Sequence, residues 1–184
     1  SEEAWDFNLP GEYSETKPLE NSRIYAMLAN KKALRDLAGP ISKKRWHMGP
    51  MTVNAYYDPS FNQFVLPAGI LQYPFFDPKM SDEANLGSMG SVVGHELGHG
   101  IDDQGSKFDA KGKLNQWMTD ADLAEFKKRG GSLVSQFAAI GHNGELTLGE
   151  NIGDLVGLGT SYRAAFDGKK FLNDKEEKQK KHEF

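Results

Sequence analysis

The chain has 184 residues, 22 Lys and Arg against 26 Asp and Glu, a formal net charge of −4, and no cysteine. This balance gives no electrostatic case for nucleic acid or an anionic membrane, and the lack of thiols excludes a disulfide framework, a thiolate metal site and a cysteine nucleophile. With 38% hydrophobic and 26% charged residues the composition is globular, sufficient for one domain or one lobe of a larger protein, and no run approaches the ~20 apolar residues of a membrane span.

The chain opens on Ser-Glu-Glu-Ala-Trp, with neither Met nor a basic, apolar leader. A processed or cut piece of a longer protein is therefore expected. Residues 1–20 read as an extended lead-in. A helix is predicted from Asn21 to Ala38, with Asn21 as cap, Ile24, Leu28, Leu34 and Leu37 as its apolar stripe, and Gly39-Pro40 as its stop. Thr52 to Tyr57 and Gln63 to Leu66 read as strands joined by the turn residues Asp58 to Asn62, and Tyr73 to Ser81 as a loop. The next helix is predicted to start at Asn85 or Ser88 and to run to about Ile101. It holds Gly87, Gly90, Gly94, Gly98 and Gly100. Each interior Gly costs ~1 kcal/mol relative to Ala, so close packing against other backbone in the core is expected. A polar loop follows over 102–118. Thr119 caps a helix to about Ile140, with Gly130-Gly131 as a candidate break. Asn143-Gly144 is a turn, and a Gly-rich apolar helix runs from Thr147 to Phe166. The charged tail, Asp174 to Glu183, reads as a solvated helix face or a linker, and there is no internal repeat.

His95-Glu-Leu-Gly-His99 fits H-E-x-x-H on a helix. Four residues advance a helix by ~6 Å and just over one turn, so both imidazoles leave one face and suit one Zn²⁺. Glu96, rotated by ~100° from His95, can reach a water on the open side of such an ion and act as general base. Two histidines on a buried face by chance is the competing reading. A catalytic zinc needs a third protein ligand. His142 precedes a turn, His182 lies in the charged tail and His47 precedes the hairpin, so Glu150 in Gly149-Glu-Asn-Ile-Gly-Asp154 is the better candidate. Thr147-x-x-Glu150 is equally a capping box, in which Glu150 would only bond its own helix start. Asp154 favours the ligand. It lies on the same face four residues on, and two like charges there want a cation and an imidazole beside them. Asp154 is then expected to accept the second ring N–H of His95.

These residues, with Val53-Asn-Ala-Tyr-Tyr57, Leu66-Pro-Ala-Gly-Ile-Leu71, Pro74-Phe-Phe76 and Gly94 to Gly105, resemble the neprilysin and endothelin-converting-enzyme family of zinc endopeptidases, in a bacterial form. The likeness runs from about Trp46 to Phe166. It implies an α+β, thermolysin-like zincin catalytic lobe: a small sheet with an edge strand, an active-site helix and a glutamate helix. It implies one Zn²⁺ per chain on His95, His99 and Glu150, with Glu96 and Asp154 as catalytic residues. It also implies that Asn54 and Ala55 bind substrate backbone, as an edge strand can. The organisation so implied is a lead-in and helix over 1–45, an incomplete peptidase domain over 46–172 and a charged tail over 173–184. The expected partners are oligopeptide substrates and the remainder of the parent protein, with no nucleic acid and no membrane contact. The expected compartment is extracytoplasmic, with cytoplasmic as the alternative. Ile101 stands where the family commonly has an aromatic residue. No residue here matches the family's later oxyanion-stabilising histidine or substrate-binding arginine. The expected activity is hydrolysis of oligopeptides by Glu-assisted attack of zinc-bound water. The alternative is a fragment that binds zinc and peptide without turnover. A third reading, calcium in the loop from Asp102 to Asn115, is weak because Lys107, Lys111 and Lys113 crowd it.

Overall fold

The structure, a computed structural model, describes residues 12–40 and 42–184. The chain divides into two units, residues 1–49 and 50–184. Most of the expected extended lead-in lies outside the described residues.

The first unit is built on helix α1 (Pro18–Leu37). It starts at Pro18, earlier than predicted, because proline's fixed φ and missing N–H suit the first helical position. Asn21 is not the cap. Its side chain accepts from Ser14 N at 2.8 Å and donates to Ser14 O at 2.7 Å, tying the preceding turn to the helix. The predicted apolar stripe forms no core: Leu34 and Leu37 are exposed, and no residue of α1 is buried. Arg45 pairs with Asp36.

In the second unit, β1 (Tyr56–Asp58) and β2 (Gln63–Val65) form an antiparallel hairpin with Tyr56 opposite Val65. Asp58 Oδ1 organises the turn by accepting from Ser60 N at 2.9 Å and Ser60 Oγ at 2.6 Å. The ladder is shorter than predicted. Extending the register would put Asn54 opposite Pro67, which has no N–H to donate. Asn54 and Ala55 therefore precede the strand instead of lying within it.

Helix α2 (Asp82–Asn85) begins under Ser81, whose hydroxyl accepts from Ala84 N at 3.3 Å. The cap is thus Ser81, not Asn85 or Ser88. The helical run continues through a π-turn, Leu86–Gly90, into α3 (Ser91–Gly98). The α-helix ends before the predicted Ile101, and His99 is its C-terminal cap, although His99 N still bonds His95 O at 3.1 Å. After a 3₁₀ turn, Gly105–Lys107, Thr119 caps α4 (Asp120–Ala139), which runs unbroken through Gly130-Gly131. Then come α5 (Leu148–Phe166) and α6 (Asp174–Glu183), the latter formed by the charged tail. No described helix is long and apolar enough to cross a membrane.

The centre of this unit is the packing of α3 on α5. A Cβ on Gly94 would lie 2.8 Å from Gly157 Cα, and one on Gly98 would lie 3.0 Å from Gly153 Cα. The glycines that weaken each helix in isolation are what allow the two backbones to touch. Tyr162 and Phe166 of α5 extend the packing to Phe184, with ring centroids 5.4 and 5.7 Å from it.

This packing makes a paired prediction. In Gly157→Ala the new methyl would sit 2.4 Å from Ser91 O and 2.7 Å from His95 N, and overpacking of this kind costs about 1–3 kcal/mol. Gly159 has nothing within 4 Å, so Gly159→Ala should be neutral or stabilising. Chemical denaturation of the two variants should show that contrast, and equal stability would contradict the close approach.

Candidate metal centre

The two packed helices bring three donor groups together. His95 Nε2 lies 3.3 Å from Glu150 Oε2, and His99 Nε2 lies 3.8 Å from the same oxygen. The two imidazoles stand edge to face at 4.6 Å between ring centroids. One donor atom from each of His95, His99 and Glu150 falls within 4.8 Å of the others. Ligands ~2.0–2.1 Å from a tetrahedral ion sit roughly 3.3 Å apart, so the set fits a small, nitrogen- and oxygen-bound cation. It is the only group of three or more such side chains suited to a metal among the described residues.

The capping-box reading of Glu150 is not what the structure contains. Thr147 makes no side-chain cap. Its hydroxyl donates to Asn143 O at 3.2 Å and accepts from Asn151 Nδ2 at 3.0 Å. Glu150 is free to face the cleft, and its side chain is 68% exposed. His95 lies between Glu150 and Asp154: its Nδ1 is 2.8 Å from Asp154 Oδ1. Sandwiching one imidazole between the two carboxylates relieves their mutual repulsion.

The sequence reading missed the partner of the second histidine. His99 Nδ1 lies 2.7 Å from Asp102 Oδ2. The other oxygen of Asp102 accepts from Gln104 N at 2.8 Å and Gly105 N at 2.7 Å, and the residue is only 5% exposed. With protons on both Nδ1 atoms, both Nε2 lone pairs point at the candidate cation position. Burial works against the Asp102 charge, but the bonds from His99, Gly105 and Gln104 outweigh it and hold the carboxyl below its ordinary value. The Asp102 hydrogen bond in turn raises His99 above the ordinary imidazole value, against desolvation and with help from Glu150. Spacing offered a signal for this contact, since Asp102 follows His99 by three positions just beyond a helix end.

Glu96 is 6% exposed, and its Oε2 is buried without a hydrogen-bond partner. Burial pushes its carboxyl above the ordinary value, against the pull of His99 and His95. A desolvated carboxylate with one oxygen unpartnered, beside convergent ligands, suits a general base. The site opens into a cleft of about 440 Å³ walled by Asn54, Ala55, Tyr57 and Gln104. A second hollow of about 540 Å³, lined by Ile70, Phe75, Val92 and Leu158, shares Asn54, His95 and Glu96 with it. Asn54 is exposed and Ala55 buried, with Asn54 Oδ1 accepting from Ala55 N at 2.9 Å. Asp109, in the loop from Asp102 to Asn115, spends its carboxylate on Lys111 N and Lys113 N at 2.9 and 3.1 Å.

Known proteins with the same pattern are recognisable. The family model for peptidase family M13 matches residues 54–184. The chain is 44% identical over 158 residues to an endothelin-converting enzyme homolog of Locusta migratoria, covering 83% of this chain and 22% of the relative. It is 41% identical over 160 residues to a neutral endopeptidase of Lactobacillus helveticus, covering 84% and 25%. The crystal structure of zinc metalloprotease Zmp1 of Mycobacterium tuberculosis in complex with an inhibitor superposes with a TM-score of 0.78 at 38% identity, covering 92% of this chain and 29% of that one. The chain thus spans a quarter or less of these two curated relatives' lengths.

Proton competition at His99 gives a pH prediction. A raised histidine keeps its proton to higher pH, and the protonated ring cannot ligate. Zinc affinity should therefore fall as pH drops through the His99 titration. Asp102→Asn should move that fall to lower pH, because the carboxylate that favours imidazolium is gone, and should weaken neutral-pH affinity about tenfold through looser ring orientation. Zinc titrations across pH would read both effects; an unchanged pH midpoint would contradict the Asp102–His99 coupling.

Proposed function

The chain belongs to peptidase family M13, and from that premise we propose that it carries the zinc centre of an endopeptidase acting on oligopeptides. The observation that carries this reading is the convergence of His95, His99 and Glu150, with the second nitrogen of each imidazole held by a carboxylate. On this reading the three side chains hold one Zn²⁺ per chain. Bound there, zinc would supply Lewis acidity, polarising the scissile carbonyl and easing deprotonation of a water at its open position.

The remaining roles fall to the chain's own residues. Glu96 takes a proton from the attacking water and passes it to the leaving amine, helped by the burial that raises its basicity. Asp154 and Asp102 hold the ligand rings in orientation. The backbone at Asn54 and Ala55, on the wall of the cleft beside β1, receives the peptide in extended form. Residues 46–172 make up the catalytic portion on this reading. The longer parent protein would supply the rest of the substrate channel.

The test is a zinc titration of the purified chain beside two variants. One zinc per chain is expected, with Glu150→Ala weakening binding by a factor of ten or more while the fold persists. Glu96→Gln should keep wild-type zinc affinity and, in any form of the protein that turns over peptide, lower kcat by ~10²–10⁴. Zinc binding indifferent to Glu150 would overturn the three-ligand assignment.

A further inference from the structure

The most deeply buried carboxylate among the described residues is Glu83 of α2, which is 3% exposed. It is not left alone. Lys169, just beyond α5, and Lys180, on α6, both donate to it, the latter at 3.0 Å. A carboxylate buried to this degree is costly to desolvate and depends on its partly exposed lysine partners, so its place in the fold calls for a physical reason.

That place is immediately upstream of the π-turn Leu86–Gly90, which separates Glu83 from the histidines of α3. Glu83 and His95 are 12 positions apart. At ~100° per residue an unbroken α-helix would set them about 120° apart around the axis. A π-turn absorbs one extra residue and reduces the difference to about 20°. Both side chains then face the α5–α6 side, as observed: Glu83 meets Lys169 and Lys180, and His95 meets Glu150 and Asp154. The π-turn is also held from outside. Ser161 of α5 donates to Leu86 O, Ser88 donates to Phe75 O at 2.8 Å, and a Cβ on Gly87 would collide with the backbone of Phe184 at the end of α6. Upstream, Asn85 bonds Asp77 N and O at 3.1 and 2.9 Å.

We propose that Glu83, clamped by Lys169 and Lys180, is a positioning residue that fixes the rotational phase of the active-site helix, with α6 as the strap that maintains the π-turn. Without the clamp the π-turn can relax to α-helix, and α2 and α3 then rotate against each other by ~100°. Strain of that size in α3 displaces His95 and His99 from Glu150. The proposal rests on the zinc reading of those residues.

The experiment compares wild type, Glu83→Gln, Lys180→Met and Lys180→Arg for zinc affinity, for the visible spectrum of the Co²⁺-loaded chain, and for amide hydrogen exchange over residues 86–98, with helix content by circular dichroism as the check on folding. Glu83→Gln should weaken zinc about tenfold, the size seen when the outer support of a metal ligand is lost, change the Co²⁺ bands and raise exchange in the π-turn. Lys180→Met should do the same more weakly, and Lys180→Arg should restore wild-type values. Folded Glu83→Gln and Lys180→Met with wild-type affinity, spectrum and exchange would overturn the proposal. If Glu83→Gln fails to fold, Lys180→Met, which keeps Lys169 in place, decides by the same readouts. A wild-type chain that takes up no metal would sink the zinc reading alone; exchange then decides the strap, raised in Lys180→Met if the proposal holds and unchanged if it does not.

Discussion

Contact between the backbones of α3 and α5 is the constraint from which the rest of the second unit follows. A Cβ on Gly94 would lie too close to Gly157, at 2.8 Å from its Cα, and one on Gly98 would be tight against Gly153, at 3.0 Å. Two helices so close can share a site across their seam, because side chains from both reach one point without long, flexible stems. His95 and His99 leave α3 on one face, and Glu150 and Asp154 leave α5 one turn apart. The low helix propensity of glycine is the cost of that geometry, and it is offset by tertiary packing.

Electrostatics then sorts the carboxylates by their surroundings. Glu150 and Asp154 are exposed and flank one imidazole. Asp102 is buried but fully hydrogen-bonded, and stays ionised. Glu96 is buried with one oxygen unpartnered, and is pushed toward its neutral form. Glu83 is buried and doubly paired, and its carboxyl is lowered to about 2, first by the Lys169 bond against burial. Of these buried carboxylates only Glu96 is shifted upward, toward holding a proton, and burial is the main cause.

Parts of this were legible in the sequence for a physical reason. The spacings His95 to His99 and Glu150 to Asp154 are helical, so a one-dimensional pattern carries the three-dimensional face. The glycine content of the histidine-bearing helix likewise predicted its close packing on other backbone. Asp102 was harder to read because it lies past the helix end, where direction is set by the turn through Gln104 and Gly105. Glu83 and its lysines are 86 and 97 positions apart, beyond any local pattern. The π-turn was invisible because the groups that meet it, Phe75, Ser161 and Phe184, lie outside its local sequence. The strand was overestimated because apolar and aromatic alternation does not reveal that Pro67 faces the place where the ladder would continue.

The most direct test of the central claim is X-ray absorption at the zinc edge of the metal-loaded chain. The account predicts four light-atom ligands at ~2.0–2.1 Å, two of them with the outer-shell scattering of imidazole, and the loss of one oxygen donor in Glu150→Ala. A six-coordinate oxygen shell, or a spectrum with a single imidazole, would contradict the assembly of His95, His99 and Glu150 across the helix seam.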